Sequence, residues 1–230
     1  MPATATTTTS SAGGLPARLT ELAPGLTAAF VREALHRAIH GIGPLPAAAV
    51  AADRQLIARK GDVDRTIHDM IETHVRYAGA QGFLTNLGGL TTMAFTVPTN
   101  ISGLALVECR MIAAIAHLRH YDLHDPRVRN AVLVCLLGEE AVTSLVADLR
   151  IPAPPMALAT APAHDPGLDR VISAEVASDL IAKVAGKKMA GTVARRIPLV
   201  GGLVGMGADG YATWKIGRYA DRELLPLARR

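Results

Sequence analysis

Aromatic side chains are scarce in this chain, with four tyrosines, three phenylalanines and one tryptophan among 230 residues. That scarcity argues against a nucleic-acid binder, which stacks bases on aromatic platforms, and no recognition module of that class is present. Cysteine is nearly absent too. Cys109 and Cys135 both lie in apolar surroundings and are expected to be free buried thiols in a reducing cytoplasm rather than a disulfide. Sustained alternation of apolar and polar residues is missing throughout, so no sheet is expected. The opening "MPATATTTTSSAGG" has neither a basic region nor an apolar core, so a secretory signal is not expected there. Its Thr/Ser/Ala bias predicts a disordered tail over residues 1–24.

Small aliphatic residues supply the bulk instead. Half of the chain is hydrophobic and mean hydropathy is +0.26, a composition suited to closely packed helices. The formal net charge is +4, and its basic excess is local. Between Lys183 and Arg222 eight Lys and Arg face only Asp209 and Asp221. An excess of that kind points to an anionic surface, here a membrane.

Apolar residues at helical spacing predict helices over 25–40 and 47–60, and a third from Val63 to Ala78 with Asp62 as its N-cap. Asp125-Pro126 restarts a helix, with Asp as cap and Pro at the first helical position, and Gly138 divides it from the next. Five prolines between 151 and 168 predict a surface loop. Helices are expected again over 169–196 and 199–225. The fold class is therefore all-α: a compact helical bundle over residues 25–230, one domain, with two glycine-rich apolar helical hairpins.

The first hairpin is defined by another absence. From Tyr77 to Val107 there is no charged residue. Pro98, Thr99 and Asn100 in "VPTN" are expected to end one helix and start another, dividing the run into two arms. Such a hairpin is either core or dipped into a membrane. The second apolar patch is "IPLVGGLVGMGA", which carries G-x-G-x-x-G at Gly205, Gly207 and Gly210. A dinucleotide site needs a strand before that turn and a parallel sheet around it; "IPLVGGLV" could pass as that strand, but no parallel-sheet alternation lies upstream. Gly201 and Gly205 also form G-x-x-x-G, the spacing that lets helix backbones approach closely. Packing is the expected role, and no cofactor is assigned.

Two blocks, "GFLTNLGGLTTMAFTVPTNISGLALVECRMIAAIAHLRHYDLHDPRVRNAVLVCLLG" and "IPLVGGLVGMGADGYATWKIGRYADREL", resemble the EcsC protein family. The resemblance covers most of the chain after residue 25. It implies a bacterial protein linked to ABC-transporter components, and it lends no catalytic residues. His120 stands where the family pattern calls for a glycine before Tyr121.

Candidate residues fall into two sets. Lys183, Lys187, Lys188, Arg195 and Arg196, with Leu84, Leu87 and Phe95, form a candidate membrane contact. Glu108, Arg110, His120 and Asp122 form a candidate polar pocket. Glu108 falls mid-way along an apolar helix face, where a carboxylate must be paired, protonated or turned to a cavity. His117, His120 and His124 lack a closed metal-ligand spacing, His36 and His40 fit a solvated face, and His74 fits a hydrogen-bonded core position. The leading expectation is a non-enzymatic, membrane-associated accessory protein at the inner face of the cell membrane. The alternative is a soluble enzyme or ligand-binding protein using the Glu108 pocket.

Overall fold

Local capping chemistry sets where the helices begin. The computed structural model describes residues 24–87, 93–194 and 198–227, with side chains for 28–80, 103, 105–183 and 207–227. Nine α-helices occur among these residues. They are α1 (Pro24–His40), α2 (Ala48–Ala58), α3 (Val63–Leu87), α4 (Met93–Leu118), α5 (Pro126–Cys135), α6 (Glu139–Ala147), α7 (Pro155–Ala159), α8 (Pro166–Ala194) and α9 (Pro198–Glu223). No strand is present among the described residues beyond one isolated bridge, Ile42 to Leu45.

Asp62 starts α3 by accepting the Arg65 amide at 3.0 Å, and Asp125 starts α5 by accepting the Arg127 amide at 2.8 Å ahead of Pro126. Gly138, at φ +80°, turns the chain into α6. Gly41 is required for a different reason. A Cβ there would stand 2.7 Å from the Leu45 carbonyl oxygen, at a φ of +86°.

Three helix ends follow one pattern without glycine. Lys60, His120 and Leu149 all have φ between 56° and 70°. Each is the left-handed residue of a Schellman turn. In the second of them, Tyr121 N–H donates to Ala116 O at 3.0 Å and His120 N–H to His117 O at 2.9 Å. His120 thus occupies a backbone conformation that glycine adopts more cheaply. Leu149 is 88% exposed, so its side chain offers little in return. Leu149→Gly is expected to stabilise the protein by about 1 kcal/mol, read as a rise in melting temperature. An unchanged or lowered melting temperature would contradict this account of the helix end.

The core centres on α4, whose residues Met111 to Ala116 are fully buried. Around it pack α1, α2, α3 and α9, while α5 covers its far end and carries α7, and α8 lies mainly along α1 with a smaller contact to α5. The most extensive pairing is α9 along α3. One end of this group is cross-tied. Arg119 reaches Asp64 of α3 at 3.1 Å and Asp221 of α9 at 2.9 Å, and its carbonyl accepts the Leu227 amide at 3.0 Å. Tyr121 adds an O–H donated to the Leu225 carbonyl at 2.9 Å.

Two expectations from sequence need correction. Pro98, Thr99 and Asn100 do not break the apolar run, because α4 continues through them from Met93. A proline this near a helix start removes one backbone hydrogen bond, and the buried stretch from Ala105 onward holds the rest of the helix in place. The link between the hairpin arms falls instead between Leu87 and Met93. Nor is 151–168 a plain surface loop. It contains α7, and Ile151, Pro155, Leu158 and Ala159 are buried, with α7 lying against α5. Prolines at 154 and 155 suit the first turn of a helix, where no amide donor is needed. The tail expected over 1–24 lies outside the described residues except for Pro24, where α1 begins.

Candidate functional site

Glycine brings α9 against two helices at once. A Cβ on Gly217 would lie 3.0 Å from both Ile71 Cγ atoms on α3 and 3.0 Å from Met111 Sδ on α4. On Gly210 it would lie 3.4 Å from Val75 Cγ1. Numbering thus falls along α9 as it rises along α3, so the two run antiparallel. Thr213 Oγ1 donates to Glu108 Oε1 at 3.1 Å, one turn from the Met111 contact, so α4 and α9 run parallel. The G-x-G-x-x-G lies wholly inside α9, with no strand before it among the described residues. Its last glycine makes a helix contact, while Gly207 faces open space. The surroundings of Gly201 and Gly205 lie outside the described side chains.

These directions gather three helix ends at one pole of the bundle: the end of α3 after Tyr77, the start of α4 before Glu108, and the start of α9 before Asp209. None of the three carries a charged residue. Ala194 ends α8 and Pro198 starts α9, so the end of α8 is within about 14 Å of the same pole, at 3.3–3.6 Å per residue. Lys187 and Lys188 belong to that end of α8, and Arg195 and Arg196 to the link. The side chains of these four, and of Leu84, Leu87 and Phe95, lie outside the described residues. Lys183 is described and is engaged: its ammonium group pairs with Asp179 at 2.6 Å and donates to the Leu136 carbonyl at 3.2 Å.

At the border of the charge-free pole stand three exposed aromatics. Tyr77 on α3 is 58% exposed, Tyr211 on α9 63% and Trp214 on α9 45%. The Tyr211 and Trp214 rings stack nearly parallel, with centroids 6.0 Å apart. Sequence reasoning missed them. The signal was present: the single Trp, with Tyr three residues before it, follows the second charge-free run just beyond Asp209.

Behind this border is a buried polar layer. Glu108 is buried with Thr213 as one partner. His74 is 3% exposed, its Nδ1 lies 2.7 Å from the Met70 carbonyl, and its Nε2 has no hydrogen-bond partner. Burial lowers the His74 pKa to about 4, helped by the nearby Arg110 charge and opposed by the Met70 bond. The Tyr77 ring stands edge-on to it at 5.9 Å. Cys109 and Cys135 are free and fully buried, which pushes both thiols far above their ordinary range and leaves them unreactive.

The four residues expected to share a polar pocket are not brought together. Glu108 faces α9, and Arg110 donates to the Pro46 carbonyl in the turn before α2. His120 ends α4, about 18 Å along the helix from Glu108 at 1.5 Å per residue. Asp122 accepts the His124 amide at 2.9 Å and lines an open cleft of about 470 Å³ with Asp125, Arg127 and His164. Polar groups there satisfy one another. Arg127 pairs with Asp125 and donates to the Ala161 carbonyl, and His164 Nε2 lies 2.8 Å from Asp169. The three histidines of "HLRHYDLH" also diverge. His117 pairs with Asp53 at 2.7 Å, while the His124 ring meets His40 edge-on at 5.6 Å. Among the described residues no three His, Cys, Asp or Glu stand together as a metal site.

No family model, curated protein or solved structure matches this chain. Among the described residues no single helix is long and apolar enough to cross a membrane. The bent pair α5 and α6 meets the length and composition criteria together, but it turns by 113° and α5 is buried from Val128 to Cys135 apart from Arg129.

Proposed function

We propose that this chain is a non-enzymatic accessory protein of the EcsC type that binds the anionic inner face of a bacterial cell membrane. The observation that carries the reading is the convergence of three charge-free helix ends at one pole, beside the basic end of α8. Apolar ends of this kind find a favourable solvent in lipid, and the adjacent Lys187, Lys188, Arg195 and Arg196 complement anionic headgroups. The link to a transport system rests on the family resemblance alone.

The engaged state of Lys183 narrows the basic set to the other four residues. At an anionic surface each is worth about 1 kcal/mol, and the contribution shrinks as salt shortens the screening length. Purified protein is expected to float with vesicles rich in phosphatidylglycerol at low salt. Replacing all four basic residues with glutamine is expected to weaken that binding by at least tenfold, while salt reproduces part of the loss. Protein that stays at the bottom of the gradient with anionic vesicles at low salt would overturn the proposal.

A further inference from the structure

The charge-free region has a definite edge and a definite depth. On α3 the last charge before the pole is Arg76, on α4 the first after it is Glu108, and on α9 it is Asp209. Val75 faces Gly210, and Glu108 meets Thr213. The three helices therefore lose their charges within about one turn of the same height. Tyr77, Tyr211 and Trp214 face solvent in a band roughly 9 Å deep around that height, at 1.5 Å per residue, with Asp209 on the pole side of the latter two. A solvated face would scatter its charges along the helices, and a plain core would cover its aromatics.

From Tyr77 to Leu87, and from Pro198 to Ala208, the helices run roughly 16 Å at 1.5 Å per residue. A hydrocarbon core is about 30 Å thick, so these ends are deep enough for one leaflet and too short for two. Tyr and Trp favour the headgroup boundary, where the ring is buried and the polar tip stays wet. Arg76, exposed beside Tyr77, is paired with Glu72 at 3.0 Å one turn further from the pole.

We infer that the protein docks end-on, with the axes of α3, α4 and α9 entering one leaflet of an anionic phospholipid bilayer and Tyr77, Tyr211 and Trp214 held at its headgroups. This orientation rests on the proposed membrane association and adds its geometry. A protein held flat by its basic residues would leave the three aromatics in water.

Trp214 is the sole tryptophan, so intrinsic fluorescence reports on one place in the docked protein. Full-length protein is mixed with phosphatidylglycerol vesicles whose acyl chains carry bromine at a shallow or a deep position. The expected result is a blue shift on binding, with stronger quenching by the shallow bromine. The double variant Tyr77→Ser, Tyr211→Ser is expected to lower vesicle partitioning by about tenfold, since each ring loses its apolar burial. Thermal melts check its folding, and both sites are exposed. Flotation without a blue shift or quenching would overturn end-on docking and leave membrane binding standing. Absence of flotation would overturn both. A concentration-dependent Trp214 shift without vesicles would mean that a second copy covers the aromatics, which also overturns the orientation.

Discussion

Gly217→Leu is expected to destabilise the protein by about 3 kcal/mol, at the upper end of the range for overpacking a well-filled core. The new Cβ alone would already press on Ile71 and Met111 at 3.0 Å, from two helices that cannot retreat together. Gly207→Ala supplies the contrast within the same helix. Nothing lies within 4 Å of a Cβ there, so the substitution is expected to add about 0.5–1 kcal/mol through helix propensity. Denaturant melts of the two variants should move in opposite directions. Equal and small effects would mean that the α3–α9 contact is looser than described.

Acid is expected to weaken the fold through His74. With its native pKa lowered to about 4 against 6.5 in an unfolded chain, the unfolded state binds the extra proton between those values. Stability from this group is therefore complete above about pH 6.5 and is lost as pH falls toward 4. The full loss is at most roughly 3 kcal/mol for a side chain this buried, at 1.36 kcal/mol per pH unit. Charges and polar groups near it are Arg110 from α4 and Tyr77 on its own helix. His74→Met removes the titration and should flatten the stability profile between pH 7 and 4.5. If the wild-type and variant profiles keep the same slope, the histidine does not act in this way.

Helix starts were readable because capping is local: Asp62, Asp125-Pro126 and Gly138 each act within three residues of themselves. Helix ends were harder, since Lys60, His120 and Leu149 make glycine-type turns without glycine. Pro98 and the prolines of α7 were over-read as breaks. Each was judged by its local cost, whereas burial of residues further along decided the outcome. Of the motif glycines expected to pack, Gly210 meets α3 while Gly207 faces open space, and nothing local could name α3 as the partner. Glu108 was legible as a buried carboxylate from its place on an apolar face. Thr213, a partner 105 residues away, was not, and the expected union of Glu108 with His120 and Asp122 failed on helix length. The border aromatics became meaningful only once α3 and α9 were known to run antiparallel.

The Arg119 junction gives this bundle a pivot. One guanidinium grips the first turn of α3 and the last turn of α9, while its own backbone, at the end of α4, holds the segment after α9. At the other pole the same three helices have no charged side chains with which to grip one another. Opening the Arg119 end requires those ionic and amide bonds to break together, so the amides of Tyr121 and Leu227 should exchange slowly, and Arg119→Met should speed them.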